Sequence, residues 1–108
     1  MIKTILQATG LQFWPTECSS PPPGAYALYF DDEDVDSSDG MEVMVVHHSA
    51  TVELYAPTQE EADEACALLE AQLVAARRPW TKQPSYWLKD VQRFQVIYEF
   101  TYTEKRRT

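Results

Sequence analysis

Between Phe94 and Tyr102 every second residue is large and apolar: Phe94, Val96, Tyr98, Phe100 and Tyr102. Gln95, Ile97, Glu99 and Thr101 fall between them. A period of two is the strand period, so the five large side chains share one face and the mixed set shares the other. The chain must therefore build a sheet with one strongly apolar face to be covered by a core. A second segment, 43–56, has the same period. From His48 onward, His48, Ala50, Val52, Leu54 and Ala56 alternate with His47, Ser49, Thr51, Glu53 and Tyr55. Upstream, Val43, Met44, Val45 and Val46 are apolar on both faces. That pattern predicts cover from two sides and marks these four residues as a candidate subunit interface.

The cover for the apolar face comes from 58–77. Thr58 has the N-cap side chain, and Glu61 stands three residues later, as in a capping box. Glu60, Glu61, Asp63 and Glu64 place negative charge at the positive end of the helix. Ala62, Ala65, Cys66, Leu69, Leu73 and Ala76 recur at three- and four-residue steps, which gives one apolar stripe. Arg77 and Arg78 suit the negative end, and Pro79 stops the helix. Ile2, Ile5 and Leu6 have helical spacing ahead of Gly10, so 1–10 reads as a short N-terminal helix or an arm. Residues 11–24 contain Trp14-Pro15 and Pro21-Pro22-Pro23, which lack backbone donors, and predict an extended loop. Residues 25–31 predict an aromatic strand, 31–40 an acidic loop, 80–83 a short strand, and Tyr86-Trp87-Leu88 an aromatic patch. The fold class is α+β: a mostly antiparallel sheet, one main helix on one face, and a short N-terminal helix. At 108 residues the chain predicts a single domain, 1–108, ending in a basic tail from 104.

Charge and residue usage narrow the function. Seventeen acidic residues stand against nine Lys plus Arg, for a net charge of -8. Such a surface repels polyanions, so no specific nucleic-acid binding is expected. Lys105-Arg106-Arg107 is too short a basic run to reverse this. Cys18 and Cys66 lack metal-type spacing, and the expectation is two reduced thiols in a cytoplasmic protein. No signal peptide or membrane span is expected. His47 and His48 are neighbours on a strand, so they point to opposite faces and cannot jointly hold one metal. Asp34, Asp36 and Ser38 alternate like calcium ligands, but Gly40 comes one residue late and Val45 stands where a bidentate Glu belongs. No phosphate-binding glycine loop is present. The expectation is a protein without cofactor, metal or catalytic residues, and not an enzyme.

With these elements placed, a resemblance emerges. Trp80-Thr81-Lys82-Gln83, Tyr86-Trp87-Leu88 and the strand Phe94–Tyr102 resemble the C-terminal half of small prophage proteins encoded among siphophage head–tail genes, the tail-terminator (tail-completion) family. The Tyr-Ala-Leu-Tyr-Phe strand, the acidic stretch, the strand ending Val52-Glu53-Leu54-Tyr55 and the Thr58-capped helix agree in order. The resemblance covers about 25–104. It implies a subunit of a self-assembled ring, usually a hexamer, that caps the tail tube and joins it to the head connector. Its partners would be copies of itself, the tail tube protein and the connector protein. Its place would be the bacterial host cytoplasm during assembly, then the virion tail or neck. In such a ring Asp31, Asp32, Glu33, Asp34, Asp36 and Asp39 are candidates for a loop facing the lumen. Two alternatives remain: another neck or connector component, or a small binding module unrelated to phages, which predicts one pocket lined by Trp80, Tyr86 and Trp87.

Overall fold

A computed structural model of the chain describes residues 1–36 and 43–107, with only the backbone described at Asp36, Val43 and Arg107. Asp39, named above for the lumen, lies outside the described residues, as does the 37–40 part of the predicted acidic loop. The elements are α1 (Ile2–Thr9), β1 (Gln12–Pro15), β2 (Tyr26–Asp36), β3 (Val43–Ala56), α2 (Gln59–Ala75), β4 (Trp80–Lys82), β5 (Tyr86–Leu88) and β6 (Arg93–Arg107).

The alternating segment at the C-terminal end is the spine of the sheet. β6 pairs antiparallel with β3 along its length, from Phe94 opposite Ala56 to Arg107 opposite Val43. β2 lies antiparallel on the other side of β3, and β1 adds parallel to β2. β4 and β5 share the far edge of β6. The order is β1-β2-β3-β6-β4, with β5 beside β4 on that edge.

Both helices lie on one face. Ala65, Cys66, Leu69 and Leu73 of α2, and Ile2, Ile5 and Leu6 of α1, meet Ala27, Tyr29, Ala50, Val52, Leu54, Val96, Tyr98, Phe100 and Tyr102 of the sheet. Leu6, Leu69, Leu73 and Tyr98 are fully buried there. Burying each such side chain contributes roughly 1.5–3 kcal/mol. The Thr58 hydroxyl accepts the Glu61 N–H at 3.1 Å, as the cap predicts. α2 stops at Ala75, slightly before the predicted 77. Arg77 adopts a left-handed φ of 55° and the Arg78 N–H reaches back to the Leu73 carbonyl at 2.9 Å. This is a Schellman ending, which uses up carbonyls that a longer helix would leave open. α1 forms as a helix, and Gly10 ends it at φ 80°.

The core cluster stops at Ala50 and Tyr102. Beyond it β2, β3 and β6 continue as a three-stranded arm. The molecule consequently measures 52 × 28 × 22 Å, with a radius of gyration of 15.6 Å. A compact chain of this length would have a radius of gyration of about 13 Å.

Four sequence expectations need correction. Asp31–Asp36 is strand, not loop: each residue pairs with β3, from Asp31 opposite Ala50 to Asp36 opposite Val45. The acids are tolerated because alternate ones meet cations, as described below. Lys105–Arg107 is likewise the end of β6 and not a frayed tail, because β3 supplies its hydrogen bonds. Within the predicted 11–24 loop, Gln12–Pro15 forms β1; Pro15 sits at its end, where a missing donor costs least. Tyr86–Leu88 is a strand paired with β6.

Candidate functional site

His48 stands in the apolar row of β3, and is nonetheless 4% exposed. A buried imidazole needs partners, and the neighbouring strands provide them. On β2, Asp31 Oδ1 lies 2.9 Å from His48 Nδ1. On β6, Glu104 Oε1 lies 2.7 Å from His48 Nε2. The ring stacks on Tyr102 with centroids 4.2 Å apart and 6° between planes. The Tyr102 hydroxyl donates to Asp31 Oδ2 at 3.0 Å. Arg106 closes the set by donating to both oxygens of Glu33, at 3.0 and 3.4 Å, and to Glu104. Six side chains thus form one clasp across the base of the arm.

A neutral imidazole can donate only one N–H, so two carboxylate partners call for the imidazolium. Burial opposes that charge, but the hydrogen bonds from Asp31 and Glu104 outweigh it and raise the His48 pKa. In return His48, followed by Arg106, holds the Glu104 carboxyl below its usual range. Burial, then Asp31, pushes the Tyr102 hydroxyl up. Ligand atoms of Asp31, Glu33 and His48 lie within 4.8 Å of one another. Even so, Asp31 and Glu104 occupy opposite nitrogens of the ring, and Arg106 occupies Glu33. Three carboxylates thus share two cations, the imidazolium and the guanidinium, and the ligand atoms of the cluster are engaged in an ion-pair network within the chain.

A smaller network lies on the helix-free face. The Tyr55 hydroxyl donates to Glu53 at 2.8 Å and accepts from the Gln95 amide at 2.8 Å. Burial, then Glu53, pushes the Tyr55 pKa up to about 12. Tyr26 stacks on Tyr55 with centroids 5.1 Å apart, and Trp14 meets Tyr26 edge-on. This closes the outer face near β1.

The residues singled out from the sequence fall as follows. His47 and His48 point to opposite faces, as alternation requires. Of the candidate interface, Val46 is fully buried within the chain, while Met44 and Val45 are half-buried. Their strand is central, so its backbone is already paired on both sides. Of the acidic residues, Asp31 and Glu33 face the clasp, and Asp32 and Asp34 are exposed. Trp80 lines a depression with Thr51, Pro79, Glu99 and Phe100, whereas Tyr86 and Trp87 line another with Asp90 and Val91. Neither of these two depressions brings Trp80 together with Tyr86 and Trp87, as the small binding module predicts. Sequence reasoning missed the clasp. The available signal was a histidine in an otherwise apolar row, flanked in the fold by acidic and basic runs.

The arm also has two contrasting edges. β1 pairs with β2 only as far as Tyr29, and β4 pairs with β6 only as far as Phe100. Among the described residues no strand covers β2 from Asp31 to Asp36, nor β6 from Thr103 to Arg107. Five of the six residues on the first edge are acidic; the second carries Lys105, Arg106 and Arg107.

No protein-family model and no curated protein matches this sequence. The fold does have a counterpart. It is similar to a chain in the solved structure "Virion of native gene transfer agent (GTA) particle", with a TM-score of 0.60. The match covers 94% of this chain and 84% of that one at 14% sequence identity. At that identity the likeness is one of fold. Among the described residues no helix is long and apolar enough to cross a membrane.

Proposed function

We propose that this chain is a structural subunit of a phage-like virion. Within that class, we assign it the role of a tail-terminator-like subunit: a ring of about six copies caps the tail tube and meets the head connector. The role is one of assembly and not of catalysis. The observation that carries the proposal is the fold correspondence with the gene transfer agent virion chain over nearly the full length of both chains. The shape supports it. A long sheet with both helices on one face can stand in a ring with its helix-free face inward. That face presents Asp32, Asp34, Glu53, Glu99, Ser49, Thr51 and Thr101, with the cations Lys105 and Arg93 towards opposite ends of β6. An acidic, hydroxyl-rich wall holds no phosphate backbone and lets DNA slide past. Assembly would occur in the host cytoplasm, and the final place would be the tail or neck.

The test combines mass and tubes. Light scattering over a concentration series should show a closed oligomer, or a monomer that binds the ends of polymerised tail tubes from the neighbouring genes. Deleting the gene from a producing strain should give overlong tubes or tails that do not join heads. A monomer at all concentrations that ignores tube ends, with normal tails after deletion, would refute the role.

A further inference from the structure

We infer that copies of this chain join head-to-tail through the two open edges of the arm, the acidic edge of β2 in one copy against the basic edge of β6 in the next. The inference rests on the ring reading above and specifies its seam.

Both edges expose unpaired backbone groups, which is a liability unless something covers them. Their charges are opposite, and the clasp leaves part of that charge unused. Asp31, Glu33, Glu104 and Arg106 are bound to one another or to His48 within the chain. Asp32, Asp34 and Lys105 are exposed and make no ion pair among the described residues. They alternate with the clasp residues along their strands, so they lie on the helix-free face. The row of β3 between them keeps the two edges about 10 Å apart within one copy. Each edge therefore offers its charge to a neighbour.

Charge also selects the symmetry. A two-fold contact would set acidic edge against acidic edge, or basic against basic, and like charges directly opposite repel. A head-to-tail contact sets acid against base in every seam, and it is the type that closes rings. Strand direction agrees. β2 and β6 are both antiparallel to β3, so they run parallel to each other. Rotation about an axis along the strands keeps that direction, which makes the seam a parallel strand pair. Asp34 and Thr103 share a level because both pair with His47. A stagger of two residues then brings Asp34 opposite Lys105, and staggered register is what closing a sheet requires.

Two exposed charge variants test this. Asp32→Lys/Asp34→Lys makes both edges basic; Thr103→Glu/Lys105→Glu makes both acidic. Each alone should need on the order of 100-fold more protein to assemble, in solution or on tube ends, because every seam is then repulsive. Mixed one to one, they should recover assembly in alternating rings, since every seam is again acid against base. Circular dichroism and melting confirm that each variant folds. A disulfide between Asp34→Cys in one copy and Lys105→Cys in another, with Cys18→Ser and Cys66→Ala in both, gives a readout independent of charge. Rings that persist in both single variants, or a mixture that stays monomeric, overturn the seam while the virion role stands. A parent chain that stays monomeric and ignores tube ends overturns both.

Discussion

Replacing His48 with Gln removes the one titrating cation that is buried in the clasp and keeps a side chain of similar reach. In the folded chain His48 has a raised pKa, because its bonds to Asp31 and Glu104 outweigh its burial. A group with a raised folded pKa stabilises fully below its unfolded value, about 6.5 for histidine. That contribution disappears as pH rises through the folded value. Between the two values the parent chain should lose up to about 1.4 kcal/mol per pH unit. For a chain of this size that corresponds to a fall in melting temperature of roughly 6 °C per unit. At the acid end, Glu104 is held below its usual range by His48 and then Arg106, so its contribution is lost as pH falls below its ordinary value and through the folded one. The parent should therefore be most stable in mildly acidic solution. Thermal melts of parent and His48→Gln from pH 5 to 9 check this. The gap between the curves should be widest at pH 5.5–6 and narrow as pH rises. A gap that stays constant across the range would refute the protonated clasp, since the histidine would then contribute only packing.

Three further outcomes follow from the packing. Leu69 is fully buried between α2 and the sheet, so Leu69→Ala should cost about 2–5 kcal/mol in denaturant unfolding, the range for a large-to-small core change. Thr58→Ala removes the acceptor of the Glu61 N–H and should cost about 1 kcal/mol by the same measurement, while Thr58→Asp should retain most of the stability. Gly10→Ala forces a side chain into a φ of 80°, so it should lower stability by about 1 kcal/mol even though no atom obstructs the added methyl.

The parts of the fold that were legible were those in which one segment carries its own pattern. Phe94–Tyr102 declared its face by alternation, and α2 declared its start by Thr58 and Glu61. The parts that were hidden depend on distant partners. Asp31–Asp36 has no visible alternation, because acids occupy both faces, and acids disfavour strands when judged locally. Only the pairing with His48 and Arg106, 17 and 73 residues away from Asp31 and Glu33, makes those acids acceptable in a sheet. Lys105–Arg107 looked like a tail for the same reason. The candidate interface at Val43–Val46 rested on apolar residues on both faces; in the fold Val46 is covered from within the chain, while Met44 and Val45 are half-buried.

Among the described elements the spine of the sheet comes after all the others in chain order, and this matters during synthesis. β3 leaves the ribosome about 50 residues before the end of β6, its antiparallel partner. At roughly 5–20 residues per second, that interval lasts about 3–10 s. Through that interval β3 can pair with β2 on one side only, and the Val43–Val46 stretch has an open edge. A nascent chain is therefore most prone to mispair with other nascent chains before translation reaches Phe94. Slow codons between 57 and 93 would lengthen the hazard, whereas slow codons after Arg107 would not.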